Sequence, residues 1–145
     1  MRLEDIRIMV EKDLSLDETE LDHASMRIPQ IHGKYLNLLF DEKLLLKQRE
    51  ANYAITKRLK WEYYGGKLDK TKLDEMGWDQ FDYKILRADL DKYLESDTDL
   101  IDLGLKVTYQ KEKVTYLENV IKAINSLQWN IRNAIEWKKF THGAT

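Results

Sequence analysis

Cysteine is absent from the 145 residues, which excludes a disulfide scaffold, a thiolate metal site and a cysteine nucleophile. Proline occurs once and glycine six times, too little turn material for a many-stranded sheet. Long apolar runs are lacking too. The longest are a few residues, such as Leu44-Leu45-Leu46, so no bilayer-spanning segment is expected. The opening Met1-Arg2-Leu3-Glu4-Asp5 carries acids at once without an apolar core, so no signal peptide is expected either. These absences point to a soluble protein of a reducing compartment. The net charge is only −2, from 24 basic and 26 acidic side chains, which argues against a generally basic surface but not against a local anion site.

What is present is helix-forming material: Leu, Lys, Glu, Ala, Arg and Gln fill the stretches between the few breakers. The expected fold is all-α, built from few, long helices. With 43% hydrophobic and 34% charged residues, the chain suffices for one compact domain, with some apolar surface left for a partner subunit. Leu3, Ile6, Met9 and Val10 place a short amphipathic helix over 1–13. Asp17 and Glu20 read as a capping box opening a second helix, which Pro29 either kinks or restarts. From Pro29 to Tyr64 nothing but Gly33 interrupts, and Ile28, Ile31, Tyr35, Leu38, Leu45, Leu59 and Tyr63 approach a heptad register. Gly65-Gly66 ends this helix. Residues 67–77 read as a polar loop and 78–95 as a helix. Ser96-Asp97-Thr98-Asp99 is an N-cap cluster for another long helix striped by Leu100, Leu103, Val107, Val114, Leu117, Ile121 and Ile124. Asn125-Ser126 is a candidate cap for a last helix bearing Leu127, Ile131, Ala134 and Ile135, with Trp129 and Trp137 off that face, as for a second contact surface.

The small net charge hides segregation. Residues 1–42 sum to −5, 43–72 to +6, 73–102 to −7 and 103–145 to +4. Chemistry for an enzyme is missing: His23, His32 and His142 lack the i, i+4 pairing of a helical zinc site. Gly65-Gly66-Lys67 resembles the end of a phosphate loop but lacks the upstream glycine, the strand and the following Ser or Thr. No catalytic residue, metal or cofactor is therefore expected. The run Lys57-Arg58-Leu59-Lys60-Trp61-Glu62-Tyr63-Tyr64-Gly65-Gly66-Lys67 is different, with four cations, one Trp and two Tyr. Arg58 and Trp61 are spaced i, i+3, and Lys60 and Tyr64 i, i+4, so cation and ring are neighbours on the helix. Cations that track phosphates beside rings that accept bases are what single-stranded nucleic acid asks for. Intramolecular cation–π pairing is the competing reading of the same residues, and Tyr63, on the apolar stripe, reads as core.

At this run the sequence resembles the UvsY family of recombination mediators of T-even-like bacteriophages. Their pattern of cation, any residue, cation, apolar residue, acid, then Tyr-Tyr-x-Gly is matched by Arg58-Leu59-Lys60-Trp61-Glu62-Tyr63-Tyr64-Gly65-Gly66. Met1 to Asp5, Ala88 to Leu100 and Ile131 to Gly143 are similar to the family in the same order. Here Arg58 and Lys60 exchange the family's usual lysine–arginine order, and Trp61 replaces a smaller apolar residue. The resemblance implies a helical protomer of a ring-like homo-oligomer with C-terminal helices at the interface. It also implies binding to single-stranded DNA, to the RecA-like recombinase UvsX and to the phage single-stranded-DNA-binding protein, in the cytoplasm of the infected bacterium. The implied task is loading recombinase onto DNA coated by that binding protein, in phage recombination, replication and repair, without enzymatic activity of its own.

The expected nucleic-acid site is Lys57, Arg58, Lys60, Trp61, Tyr64 and Lys67, with Lys67 added from charge clustering alone. Val114, Leu117, Ile121, Ile124, Leu127, Ile131 and Ile135 are the expected oligomerisation residues. Functionally, the chain divides into 1–95, carrying the DNA-binding motif at 57–67, and 96–145, carrying oligomerisation. The alternative is a coiled-coil adaptor or assembly protein whose basic patch binds an acidic protein partner.

Overall fold

The computed structural model describes residues 1–143. The helices are α1 (Leu3–Asp13), α2 (Leu21–Tyr64), α3 (Lys70–Met76), α4 (Leu90–Glu95) and α5 (Thr98–Thr141), with a 3-10 turn, Arg87–Asp89, leading into α4. No strand occurs among the described residues, so the all-α expectation holds. By packing, the chain sorts into two compact units, one from residues 1–43 with the chain from 112 onward, the other from 44–111.

In the first unit, α1 and the adjoining parts of α2 and α5 bury Ile6, Leu21, Ile28, Ile31, Tyr35, Leu39, Val114, Leu117, Val120, Ile124, Leu127 and Ile131. On α5 the buried positions recur every three or four residues, the spacing of one helix face. Val120 and not Ile121 is the fully buried member of its turn. Polar contacts fix the register of α1. Asp13 accepts from Lys34 Nζ at 2.6 Å and from the Tyr35 hydroxyl at 2.8 Å, and Lys113 Nζ donates to the Met1 carbonyl at 2.8 Å while pairing with Glu42 at 3.3 Å. Lys138 Nζ donates to the Glu18 carbonyl.

Three local expectations change, and at Pro29 the restart falls away. Asp17 accepts from the amide and hydroxyl of Thr19, forming a turn of its own and not a capping box, and α2 begins only at Leu21. Pro29 lies inside that helix. It removes one amide donor, but Ile28 and Ile31 beside it are buried, and this burial carries the helix through. Asn125-Ser126 does not interrupt α5, because the Ser126 hydroxyl donates to the Lys122 carbonyl within the helix, an ordinary way for mid-helix serine to be satisfied. Within 67–77 a short helix replaces the loop: Asp69 accepts from the Lys72 amide at 2.8 Å, and Gly77, at φ 68°, closes α3.

The second unit buries Leu73, Leu90, Leu94 and Leu100, with Tyr53, Tyr64 and Ile85 packed on the last three of these. The segment from Trp78 to Leu86 is irregular and not the expected helix. Trp78 and Phe81 lie 5.3 and 5.7 Å from the Tyr63 ring, and Phe81 lies 5.1 Å from Tyr64 and 5.7 Å from Tyr93. The Tyr63 hydroxyl donates to the Asp79 carbonyl at 2.6 Å. Aromatic burial draws this stretch onto the end of α2, and the few helical bonds it forgoes weigh less than that packing.

Candidate nucleic-acid interface

α2 ends as its glycines require. Gly66 adopts φ 70°, its amide reaches the Tyr63 carbonyl, and the Lys67 amide returns to the Glu62 carbonyl at 2.9 Å. This left-handed closure folds Lys67 back over the last turn, with its ammonium 4.8 Å from the centre of the Trp61 ring. Trp61 retains 38% of its surface. One turn earlier stand Lys57 and Arg58, both exposed. Arg58 makes a loose i, i+4 pair with Glu62 at 3.5 Å while its side chain stays 82% exposed, so little binds it there. Lys57 shares a small cleft with Asp91 and Glu95.

Lys60 is placed otherwise. It is 5% exposed, with its ammonium 3.1 Å from Asp97, 2.8 Å from Asp99 and 4.0 Å from the centre of the Trp78 ring. Asp97 also accepts from the Tyr64 hydroxyl at 2.5 Å and, as N-cap of α5, from the Leu100 amide at 3.0 Å. No buried side-chain nitrogen or oxygen lacks a partner among the described residues, which is what makes a buried ion pair tolerable. Of the expected site residues, then, the structure brings Lys57, Arg58, Trp61 and Lys67 to the exposed end of α2. It holds Lys60 and Tyr64 inward as supports of that end.

Burial raises the Asp97 carboxyl, but the Tyr64 hydroxyl, the Leu100 amide and the Lys60 ammonium outweigh it and hold the group below the usual carboxylate range. Burial, then the Asp97 contact, pushes the Tyr64 hydroxyl up. Asp13 behaves like Asp97: burial raises it, and Lys34 and Tyr35 bring it down further. A carboxylate depressed in the folded state contributes stability above its unfolded value, about 4, and that contribution is lost as pH falls through the folded value. The unfolding temperature should therefore be flat between about pH 5 and pH 9 and fall steeply below about 4. Asp97→Asn should flatten that acid limb while lowering the plateau.

The expected oligomerisation stripe divides in the same manner. Val114, Leu117, Ile124, Leu127 and Ile131 are buried in the protomer's own core, Ile121 is half-buried and Ile135 is exposed. Toward the C-terminal end of the same helix, Trp129, Ile135, Trp137 and Phe140 are exposed, with the rings of Trp137 and Phe140 stacked at 5.7 Å. Sequence periodicity finds an apolar stripe but not whether the protomer or a neighbour covers it. Arg87 was missed altogether. It stands in the acidic stretch 73–102 as one of three basic residues, a minority sign that is the only signal available. The structure sets it beside Trp61 and Lys67.

No group of His, Asp or Glu suited to a metal occurs among the described residues, and no described helix is long and apolar enough to cross a membrane. Fold and site together define a strand-free helical protein that presents cations around an aromatic face at a helix end. The sequence model of UvsY, described as a recombination, repair and ssDNA binding protein, matches residues 9–144. The chain belongs to the UvsY family. It is 23% identical over 143 residues to the recombination protein UvsY of Enterobacteria phage T4, covering 99% of each chain. Two crystal structures of the bacteriophage T4 recombination mediator protein UvsY are similar in fold. One has a TM-score of 0.84 at 21% identity, covering 97% of this chain and 99% of that one. The other has 0.82 at 21%, covering 98% of each.

Proposed function

We propose that this protein is a recombination mediator: it binds single-stranded DNA and promotes loading of a RecA-like recombinase (UvsX) onto DNA coated by the phage single-stranded-DNA-binding protein. The observation that carries the reading is the exposed set Lys57, Arg58, Lys67 and Trp61 at the end of α2, in a chain of a single-stranded-DNA-binding family. It works as a ring-like homo-oligomer joined through the C-terminal part of α5, in the cytoplasm of the infected bacterium. Exposed Ile135, Trp129, Trp137 and Phe140 supply contact surface, and the buried residues from Val114 to Ile131 hold that helix in place. One patch per protomer binds weakly, and several patches on a ring sum to useful avidity. A strand held at spaced points favours the conformation that suits recombinase over the one that suits the coating protein. Differential affinity for two DNA states shifts the population without a catalyst.

The direct test is recombinase activity on a strand already coated by binding protein. Addition of this protein should shorten the lag before DNA-dependent nucleotide hydrolysis by the recombinase, and the variant lacking Lys57, Arg58 and Lys67 side chains should not. An unchanged lag would contradict the mediator reading. Binding of the same patch to an acidic protein, with no affinity for oligonucleotide, would support an adaptor instead.

A further inference from the structure

We infer that the groove beside Trp61 is a nucleobase site, in which one base of a bound strand stacks on the indole while Lys67 and Arg87 hold the flanking phosphates. This rests on the single-strand-binding reading above and names where a base, as distinct from the backbone, is received. The groove has a volume of about 340 Å³ and is lined by Trp61, Lys67, Ile85, Leu86, Arg87 and Leu90. Its size falls in the range of small-ligand clefts, and its lining joins an indole and aliphatic side chains to two cations. Leu90 is buried and Ile85 half-buried, so the floor is fixed by the core of the unit. Leu86 is 74% exposed, an apolar wall with no protein cover.

The charges at the mouth are of one sign. Arg87 is exposed and makes no ion pair among the described residues, although acids surround it in sequence. Asp89, two residues on, is taken by Lys92 at 3.3 Å. Lys67 makes no ion pair among the described residues either. Its ammonium rests on the indole face 4.8 Å from the ring centre, the place a cation takes when nothing better is offered. A base entering the groove takes that face and moves the ammonium outward to the neighbouring phosphate. Two unpaired cations flanking an apolar slot with an indole wall match one nucleotide unit of a single strand, whose base is free to splay. A duplex keeps its bases stacked and does not fit.

The test compares two probes of equal length and phosphate number, short enough to touch one protomer, on the intact protein: an oligothymidylate and a strand built wholly of abasic units. The parent should bind the thymidylate roughly tenfold more tightly, the size of one stacked base. Trp61→Leu should bring that ratio close to one, the loss falling mainly on the thymidylate. Arg87→Ala should weaken both strands alike and reduce the salt slope by about 0.7, one phosphate contact on a single strand. Arg87 is exposed, so this arm stands even where the Trp61 variant fails to fold. A base-dependent ratio that survives Trp61→Leu, or an Arg87→Ala variant indistinguishable from the parent on both strands, overturns the groove and leaves single-strand binding intact. A parent that binds neither probe removes single-strand binding and the groove together.

Discussion

Lys60→Ala should destabilise the unit of residues 44–111 by about 3–5 kcal/mol, the range for removing one partner of a buried ion pair. The substitution leaves Asp97 with 3% side-chain exposure and no cation beside it. It also removes the ammonium from between Asp99 and the Trp78 ring. Asp97 caps α5 and holds the Tyr64 hydroxyl, so the damage reaches the start of one long helix and the end of another. Lys57→Ala, at an exposed position one turn away, should change stability by no more than about 0.5 kcal/mol. Denaturant unfolding followed by tryptophan emission and by helicity separates the two. Equal stability of the two variants would contradict the account of the knot. A consequence follows for binding: loss of DNA affinity on removing Lys60 should come with loss of structure, whereas loss on removing Arg58 should not.

A protomer freed from its neighbours should bind a long single strand on the order of a hundredfold more weakly than the assembled protein, with its cation patch untouched. Trp129→Asp with Trp137→Asp is the appropriate variant, because both residues are well exposed on the protomer and a charge there costs the isolated chain little. At a subunit interface the same charges are buried unpaired, at several kcal/mol. Ile131→Asp does not serve, since Ile131 is 3% exposed and a charge in its place unfolds the protomer. Contacts from one patch are few and screened, the Debye length being about 8 Å at physiological salt. Linked patches recover affinity because the second contact is intramolecular. The parent's advantage should vanish on an oligonucleotide short enough to touch one protomer. Equal binding of monomer and assembly to the long strand would leave each protomer a self-sufficient binding module.

The long helices are legible in the sequence, apart from the break suggested by Asn125-Ser126 within α5, because their signals are local. The stripe of α5 and the stop at Gly65-Gly66 depend only on spacing and on backbone conformation. The segment 78–86 was misread for the opposite reason: Trp78 and Phe81 answer to Tyr63 and Tyr64, and no periodicity records a partner fifteen residues or more away. The site was half legible. Composition picks out 57–67, but nothing local separates Lys60 from Lys57, since what separates them is Asp97 and Asp99, 37 and 39 positions on. The alternation of +6 and −7 between adjoining segments did carry that information in coarse form. Part of it is internal pairing across the 44–111 unit.

The central claim is that the exposed cations at the end of α2 bind single-stranded DNA. Its most direct measurement is the dependence of oligonucleotide affinity on salt for the parent and for Lys57→Ala, Arg58→Ala, Lys67→Ala combined. On a single strand each phosphate contact contributes about 0.7 to the slope of log affinity against log salt. On an oligonucleotide short enough to touch one protomer, the triple variant should therefore fold like the parent, bind more weakly, and lose about 2 from that slope. A folded triple variant with the parent's affinity and slope would place the DNA elsewhere on the protein and contradict the account.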